Sequence, residues 1–196
     1  EQETSLRCTL LLDRSGSMAY RGFDESSSAK ADEPLSKDEF SLRVAASLAY
    51  LMLGQQDSVG LITFDRRIRA EVPVRGRANH FSAILATLAK DSPGDETDLG
   101  EVLTQVGPRI ARRSLVIVLS DALADLHSLS RSIASLRSRH HEILWLQVLH
   151  PDEVDFDFAG RVQFRDLEHP DQSQTVDATA VRKKYLKRFE DHQHEL

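Results

Sequence analysis

The segment TLLLDRSGSMAY, residues 9–20, contains the pattern from which the fold of this chain follows. An apolar run, RCTLLLD over residues 7–13, is typical of a short strand that is buried on both faces of a sheet. The run ends on Asp13, and Ser15 and Ser17 follow at a spacing of two. The sequence therefore predicts a buried strand with a polar site at its carboxyl end.

Further strands are predicted downstream. Three apolar runs match the first one: SVGLITFD (58–65), SLVIVLSD (114–121) and EILWLQVL (142–149). The segment RIRAEVPV, residues 67–74, alternates in polarity and contains Pro73, which favours an antiparallel edge strand. The segment RVQFRDLE, residues 161–168, also alternates, and we expect it to form the other edge of the sheet.

Helical patterns lie between the predicted strands. Ser36 and Glu39 predict a capping box, and Gly54 ends the helix that it starts. The predicted apolar face of this helix consists of Phe40, Val44, Leu48 and Met52. Further helices are predicted over residues 79–90, 98–106 and 126–139 and after Asp177. Alternating strands and helices predict an α/β fold: a doubly wound, Rossmann-like, mostly parallel sheet of about six strands with one antiparallel edge strand and helices on both faces.

The chain is expected to be one domain, residues 1–196. Residues 19–34 are polar and rich in serine, which predicts a mobile loop directly after the opening motif. The sequence does not start with methionine, so we expect a domain excised from a longer protein.

The overall composition narrows the classes of partner. The formal net charge is −6, which argues against nucleic acid and anionic membranes as partners of the whole domain. The apolar runs are too short to span a bilayer, so we expect no membrane insertion by this domain. Cys8 is the only cysteine, and a lone thiol in an apolar strand is typical of a core residue in a reducing compartment. We therefore expect a cytoplasmic location.

Two predicted inner strands end on aspartate, namely Asp13 and Asp121. In doubly wound sheets, ligands bind outside the carboxyl ends of the strands at the switch point, so these carboxylates should face one crevice. The loop SPGDETDLG, residues 92–100, adds Thr97. The candidate metal ligands are thus Asp13, Ser15, Ser17, Thr97 and Asp121. All are oxygen donors, which suit Mg²⁺ or Mn²⁺ rather than zinc. Two carboxylates only balance a dication, so we expect an acidic residue of a protein partner to complete the coordination.

Four segments of the chain resemble the framework and the metal-ion-dependent adhesion site of von Willebrand factor A domains: LLLDRSGSM, DSVGLITF, ETDLGEVL and RRSLVIVLSD. Later segments, LRSRHHEILWLQVLHPDE, GRVQFRDLE and VRKKY, are similar to an uncharacterised bacterial branch commonly encoded beside MoxR-type AAA+ ATPases. The resemblance implies the same five metal ligands and a protein-interaction module that is not itself an enzyme. It also implies a MoxR-type ATPase, or a client remodelled by the pair, as the partner. The chain departs from the family pattern in its longer loop at 19–34 and at His140, where glycine is usual.

Two other classes of function remain open at this point. A magnesium-dependent, aspartate-based phosphohydrolase would use Asp13 as its nucleophile, but such an enzyme needs a second acid two residues later, where this chain has Ser15. The other class is a structural module with a vestigial metal site.

Several polar residues also have ordinary structural interpretations. Asp65 and Asp98 fit a strand-end turn and the first turn of a helix, and Thr97 fits a helix N-cap. His192 and His194 fit a frayed polar tail.

Overall fold

The apolar runs form a five-stranded sheet in the computed structural model, which describes residues 5–23, 34–77, 79–90, 93–94, 98–169 and 171–196. The strands are β1 (Arg7–Asp13), β2 (Ser58–Phe64), β3 (Ile68–Arg75), β4 (Leu115–Ser120) and β5 (Glu142–Gln147), in the spatial order β3-β2-β1-β4-β5. β1 pairs in parallel with both β2 and β4, and β5 is parallel to β4. β3 is antiparallel to β2, as the Pro73 segment predicts. The doubly wound α/β class is confirmed, with β1 at the switch point.

Six helices accompany the strands in the part of the chain that the structure describes. They are α1 (Lys37–Gly54), α2 (His80–Leu88), α3 (Leu99–Val106), α4 (Leu126–Ser138), α5 (Pro151–Asp155) and α6 (Ala178–Glu195), with short 3-10 turns at Gly16–Ala19 and Gly107–Arg109. All the predicted helices are present, whereas the one-and-a-half turns of α5 were not predicted. No helix within the described ranges is both long and apolar enough to cross a membrane.

The sixth expected strand does not join the main sheet. Residues Arg161–Arg165 form β6, which pairs antiparallel with β7 (Ser173–Asp177) in a separate two-stranded sheet. The prediction of a second edge strand at 161–168 is therefore wrong in its placement. The alternating polarity of residues 161–168 has another cause. One face of the hairpin packs on a small cluster that contains Phe156 and, at the start of α6, Ala178.

Apolar residues fill both faces of the main sheet. On one face, Leu10 and Leu12 of β1 pack with buried residues of α1 and α2. On the other face, Leu11 packs with residues of α3 and α4. Cys8 is fully buried in the first of these clusters, so its predicted core position is confirmed. The side chains of β1 alternate between two layers, which is why its sequence is apolar throughout.

The capping box of α1 is confirmed, and the predicted apolar face is confirmed in part, because Met52 is buried and Val44 and Leu48 pack against the core while Phe40 does not. Ser36 Oγ accepts from the Glu39 N–H at 3.1 Å, and the Glu39 carboxylate accepts from the Ser36 N–H at 3.0 Å. Phe40 is 50% exposed, while the small residues Ser41, Ala45 and Ala49 are fully buried. Small side chains allow the helix axis to lie close to the sheet, which an apolar-periodicity argument overlooks because it favours large residues.

The predicted loop at 19–34 is described only in part. Tyr20 donates from its hydroxyl to Asp152 Oδ2 at 2.7 Å, and the Phe23 N–H donates to the same oxygen at 2.9 Å. The Phe23 ring also makes an edge contact with Phe158. The start of the segment is thus anchored on α5. Residues 24–33 lie outside the described part of the chain, so the mobility of the loop stays a prediction.

Candidate metal site

Asp13 lies at the carboxyl end of β1, between β2 and β4, and is only 1% exposed. The register of β1 with β4 places it beside Ser120, whose hydroxyl donates to Asp13 Oδ2 at 2.6 Å. The Ser15 N–H donates to the other oxygen, Oδ1, at 3.0 Å. Both carboxylate oxygens are therefore held in place by neighbouring residues.

Ser15 precedes the 3-10 turn that follows β1, and Ser17 lies within that turn. Their hydroxyl oxygens are 3.1 Å apart, and Ser15 is buried. The turn at Gly16–Ala19 folds the chain back, so that the two hydroxyls point to one place next to Asp13. The structure thus brings together three of the five predicted ligands in a single strand-turn unit.

Asp121 follows β4 and carries a partner that the sequence did not reveal. Lys37 donates from Nζ to Asp121 Oδ2 at 2.9 Å and to Glu153 Oε1 at 2.7 Å. The other oxygen of Asp121 accepts from the Leu123 N–H at 3.1 Å. Lys37 is 3% exposed and is the first residue of α1. Cations are disfavoured at helix N-termini, so the ammonium group of Lys37 is stabilised by the two carboxylates that it contacts and not by the helix.

The electrostatics of the site show that negative charge is crowded there. Burial raises the pKa of Asp13 from 3.8 to about 6, and the charge of Asp121 adds to the rise. Hydrogen bonds from Ser120 and Ser15 oppose this rise without cancelling it. For Lys37, burial lowers the pKa, but the carboxylates of Asp121 and Glu153 outweigh burial, so that the pKa is raised. The lysine is thus a permanent cation within the site.

A third carboxylate, Glu168, approaches from the turn between β6 and β7. A Cβ atom added to Gly16 would lie 2.6 Å from the backbone oxygen of Leu167, so only glycine at position 16 allows this close approach. Burial raises the pKa of Glu168, as do the charges of Asp121 and Asp13, and a hydrogen bond from the Ser17 N–H lowers it. Glu168 occurs in the GRVQFRDLE segment, but no local pattern there indicated that it would reach the site.

Thr97 lies outside the described residues, so its place as a ligand stays a prediction. The loop that carries it begins beside the site, because the Gly94 N–H donates to the Arg14 backbone oxygen at 2.8 Å. The N-cap of α3 is Asp98, whose carboxylate accepts from the Glu101 N–H at 2.9 Å. The alternative role that we considered for Thr97, capping this helix, is therefore filled by its neighbour.

Two other predictions concern residues at the rim. Asp65 accepts from the Arg67 N–H at 3.1 Å and lies 3.6 Å from Arg69 Nη1, which confirms its role in a strand-end turn. The prediction of a frayed tail is wrong for His192, because its Nε2 lies 3.0 Å from the Ala122 backbone oxygen. Ala122 has a φ of 60°, so the turn directly after Asp121 adopts a left-handed conformation that α6 helps to hold.

A cavity of about 360 Å³ opens beside the site. Ser17 and Glu168 border it on one side, and the rings of Phe156, Phe164 and Tyr185 form its apolar wall. Within the described residues, no three carboxylate, imidazole or thiol groups are arranged to hold a metal by themselves.

Comparisons with known proteins support the fold but give no activity. The model of a family described as "Protein of unknown function DUF58" matches residues 1–195. An uncharacterised protein from Mycobacterium tuberculosis is 25% identical over 135 residues, which are 67% of this chain and 42% of that protein. The match thus spans less than half of this relative's length.

Two solved structures share the fold. BatB from Bacteroides thetaiotaomicron has a TM-score of 0.58 at 14% identity, over 93% of this chain and 85% of that one. A serine-substituted variant of an aerotolerance-related membrane protein from Bacteroides fragilis has a TM-score of 0.60 at 20% identity, over 93% and 87% of the two chains. At these identities the likeness concerns the fold alone.

Proposed function

Since the chain belongs to the DUF58 family, a family of unknown function, we propose its function from the site itself: a module that binds a divalent cation and, through it, a protein partner. The observation that carries the proposal is the gathering of oxygens at the ends of β1 and β4. Asp13, Ser15 and Ser17 form one strand-turn unit, and Asp121 lies close enough for its charge to raise the pKa of Asp13. Hard oxygen donors of this kind suit Mg²⁺ or Mn²⁺.

The donor set fits such a cation for a second reason, which is charge. Asp13 is buried as a carboxylate next to other carboxylates, and Lys37 divides its single charge between Asp121 and Glu153. Buried negative charge without full compensation is costly unless a cation is bound. When bound, the cation would offer a coordination position that an acidic side chain of a partner can fill. The residues that would hold it are Asp13, Ser15, Ser17, Thr97 and Asp121.

The resemblance to von Willebrand factor A domains gives the proposal its finer form. In that form the site is a metal-ion-dependent adhesion site, and the partner contributes an acidic residue. The similarity to the branch encoded beside MoxR-type AAA+ ATPases makes such an ATPase, or a client of it, the first partner to test. The parallel sheet with β1 at its switch point supports this interpretation, because ligands of doubly wound folds bind at that point.

Features of Asp13 weigh against the phosphohydrolase alternative. The side chain of Asp13 is only 1% exposed, so a phosphate ester has little access to it, whereas a single ion needs far less room. The residue two positions later is Ser15, so the second acid of that mechanism is missing. We therefore propose binding rather than catalysis.

Calorimetric titration with Mn²⁺ and Mg²⁺ tests the cation. Asp121→Asn keeps an acceptor for the Leu123 N–H but removes the charge, so Mn²⁺ affinity should fall on the order of tenfold or more. Asp98→Asn is the matched control, because it removes a rim carboxylate and keeps a good N-cap for α3. Absence of Mn²⁺ binding by the parent chain, or equal affinity of parent and Asp121→Asn, would overturn the metal site.

Binding of the partner is tested separately. A candidate MoxR-type ATPase is titrated with the chain in Mg²⁺ and in chelator, with melting curves to confirm that the chain is folded in both. We expect binding in Mg²⁺ and its loss in chelator. Equal affinity in both conditions would mean that the ATPase docks elsewhere and that the cation has no adhesive role.

A further inference from the structure

The turn between β6 and β7 is built against the candidate metal site. Its backbone at Leu167 lies so close to Gly16 that a side chain at position 16 would collide with it. Position 16 stands between Ser15 and Ser17, two of the predicted ligands. The two-stranded sheet is separate from the main sheet, yet its turn meets the main sheet at the polar site.

The turn itself is held by hydrogen bonds that fix its shape. Asp166 Oδ1 accepts from the Glu168 N–H at 2.8 Å and from the His169 N–H at 3.0 Å. The Asp166 N–H donates to the Gln172 backbone oxygen at 3.0 Å, which closes the base of the turn. The backbone of Glu168 is therefore placed by the turn, independently of what its carboxylate binds.

The carboxylate of Glu168 has no cationic partner among the residues described. No lysine, arginine or histidine in the described ranges forms an ion pair with it. It is only partly exposed, and it faces the charges of Asp13 and Asp121. An acid held against two other acids is unfavourable in the absence of a cation, and it becomes favourable once a dication is shared among them.

We propose that Glu168 is a built-in ligand for the cation, which takes the place that an acidic residue of a partner would otherwise take. This inference rests on the proposed function, because it requires a cation at the ends of β1 and β4. A partner would then have to displace Glu168, so the β6–β7 turn restrains adhesion from within the same chain.

The three carboxylates do not form a ready metal site by themselves within the described residues, so the side chain of Glu168 has to move on cation binding. Glu168 and Ser17 both border the cavity of about 360 Å³, so the side chain of Glu168 is not enclosed by packed atoms on that side.

Glu168→Gln separates coordination from a purely structural role. Glutamine retains an oxygen that can accept from the Ser17 N–H, but it lacks the charge. Asp171→Asn is the control, because it removes an exposed carboxylate from the same turn. The three proteins are titrated with Mn²⁺ by calorimetry, and the longitudinal relaxation of water protons is measured on the Mn²⁺-loaded forms.

We expect Glu168→Gln to bind Mn²⁺ more weakly, on the order of tenfold, and to relax water protons faster per bound ion, because water replaces the lost carboxylate. Asp171→Asn should match the parent in both measurements. If the parent binds Mn²⁺ and Glu168→Gln matches it in affinity and relaxation, Glu168 is not a ligand, and the proposed function still stands. If the parent does not bind Mn²⁺, the proposed function fails and this inference fails with it.

Discussion

Replacement of Asp13 by asparagine is expected to stabilise the cation-free domain, although Asp13 lies at the centre of the site. The asparagine has nearly the same shape as the aspartate. Its oxygen can accept from the Ser15 N–H, and its amide can donate to the Ser120 hydroxyl oxygen, so hydrogen bonds to these two groups are retained. What disappears is a buried negative charge next to Asp121.

The magnitude follows from the pKa of Asp13. The folded state raises it from 3.8 to about 6, chiefly by burial. One pKa unit corresponds to about 1.4 kcal/mol, so ionisation of Asp13 costs the folded state about 3 kcal/mol at neutral pH. For a chain of this size, such a gain corresponds to a rise in Tm of about 6–12 °C.

The pH dependence has a definite sign. A carboxyl with a raised pKa in the folded state contributes stability that is full below 3.8 and is lost as pH rises through 6. The parent should therefore lose stability relative to Asp13→Asn between these values. At pH 5, where folded Asp13 is mostly protonated, the difference should be about half of its value at pH 8.

Urea denaturation of both proteins in chelator, at pH 5 and pH 8, measures these free energies of unfolding. Addition of Mg²⁺ at one hundred times its Kd should then stabilise the parent by about 2.7 kcal/mol and Asp13→Asn far less. A variant less stable than the parent in chelator at pH 8, or a difference that does not shrink at pH 5, would refute the reasoning about the buried charge.

Three further variants test other parts of the structure. Lys37→Met leaves Asp121 and Glu153 without their buried cation, so it should lower the free energy of unfolding in chelator by about 3–5 kcal/mol. Mg²⁺ should raise the Tm of this variant more than that of the parent. An equal rise would contradict the idea that the ammonium group and the metal neutralise the same carboxylate. Gly16→Ala should displace the β6–β7 turn and cost about 1–3 kcal/mol by urea denaturation; parent-like stability would show that the close approach is not tight. His140 follows α4 with a φ of 64°, a backbone conformation that glycine adopts more easily than histidine. His140→Gly should therefore stabilise the fold by about 0.5–1 kcal/mol. A loss of stability in the same assay would argue against backbone strain at this position.

Local sequence patterns were sufficient for the five-stranded sheet and its long helices, but not for the β6–β7 hairpin or α5. The inner strands are apolar throughout because both faces of the sheet are covered, and their ends agree with the structure to within two residues. The capping box at Ser36 and Glu39 is equally local, and it fixes the start of α1. The departure at His140 was identified from the resemblance to the family, and this residue has a φ of 64° directly after α4.

The parts that were missed depend on contacts between distant segments. Lys37 meets Asp121 across 84 positions of sequence, and no pattern near either residue specifies that pairing. Glu168 reaches the site because β6 and β7 pair with each other rather than with β5. The alternating polarity at 161–168 fits either arrangement. It shows that one face of the strand is buried, but it does not show which part of the protein covers that face.

The two missed residues change the charge balance on which the sequence argument rested. With Asp13 and Asp121 alone, the two negative charges just balance a dication, and an incoming acidic residue is expected to be attracted to the metal. Lys37 is divided between Asp121 and Glu153, and Glu168 adds another carboxylate at the mouth of the site. With Glu168 nearby, the negative charge around the site exceeds the two positive charges of a dication. A further acidic residue from a partner would therefore gain little Coulomb energy by joining the site.

If Glu168 leaves as the acid of the partner enters, one carboxylate replaces another and the net charge at the cation does not change. Coulomb attraction then contributes little to the difference in free energy between the free and bound forms, because it is present in both. The affinity and the choice of partner have to come from contacts beyond the cation. The aromatic wall of Phe156, Phe164 and Tyr185 lines the same cavity as Glu168 and is an apolar surface that could make such contacts. By this reasoning the cation fixes where an acidic residue is held, and the neighbouring surface decides which protein supplies it.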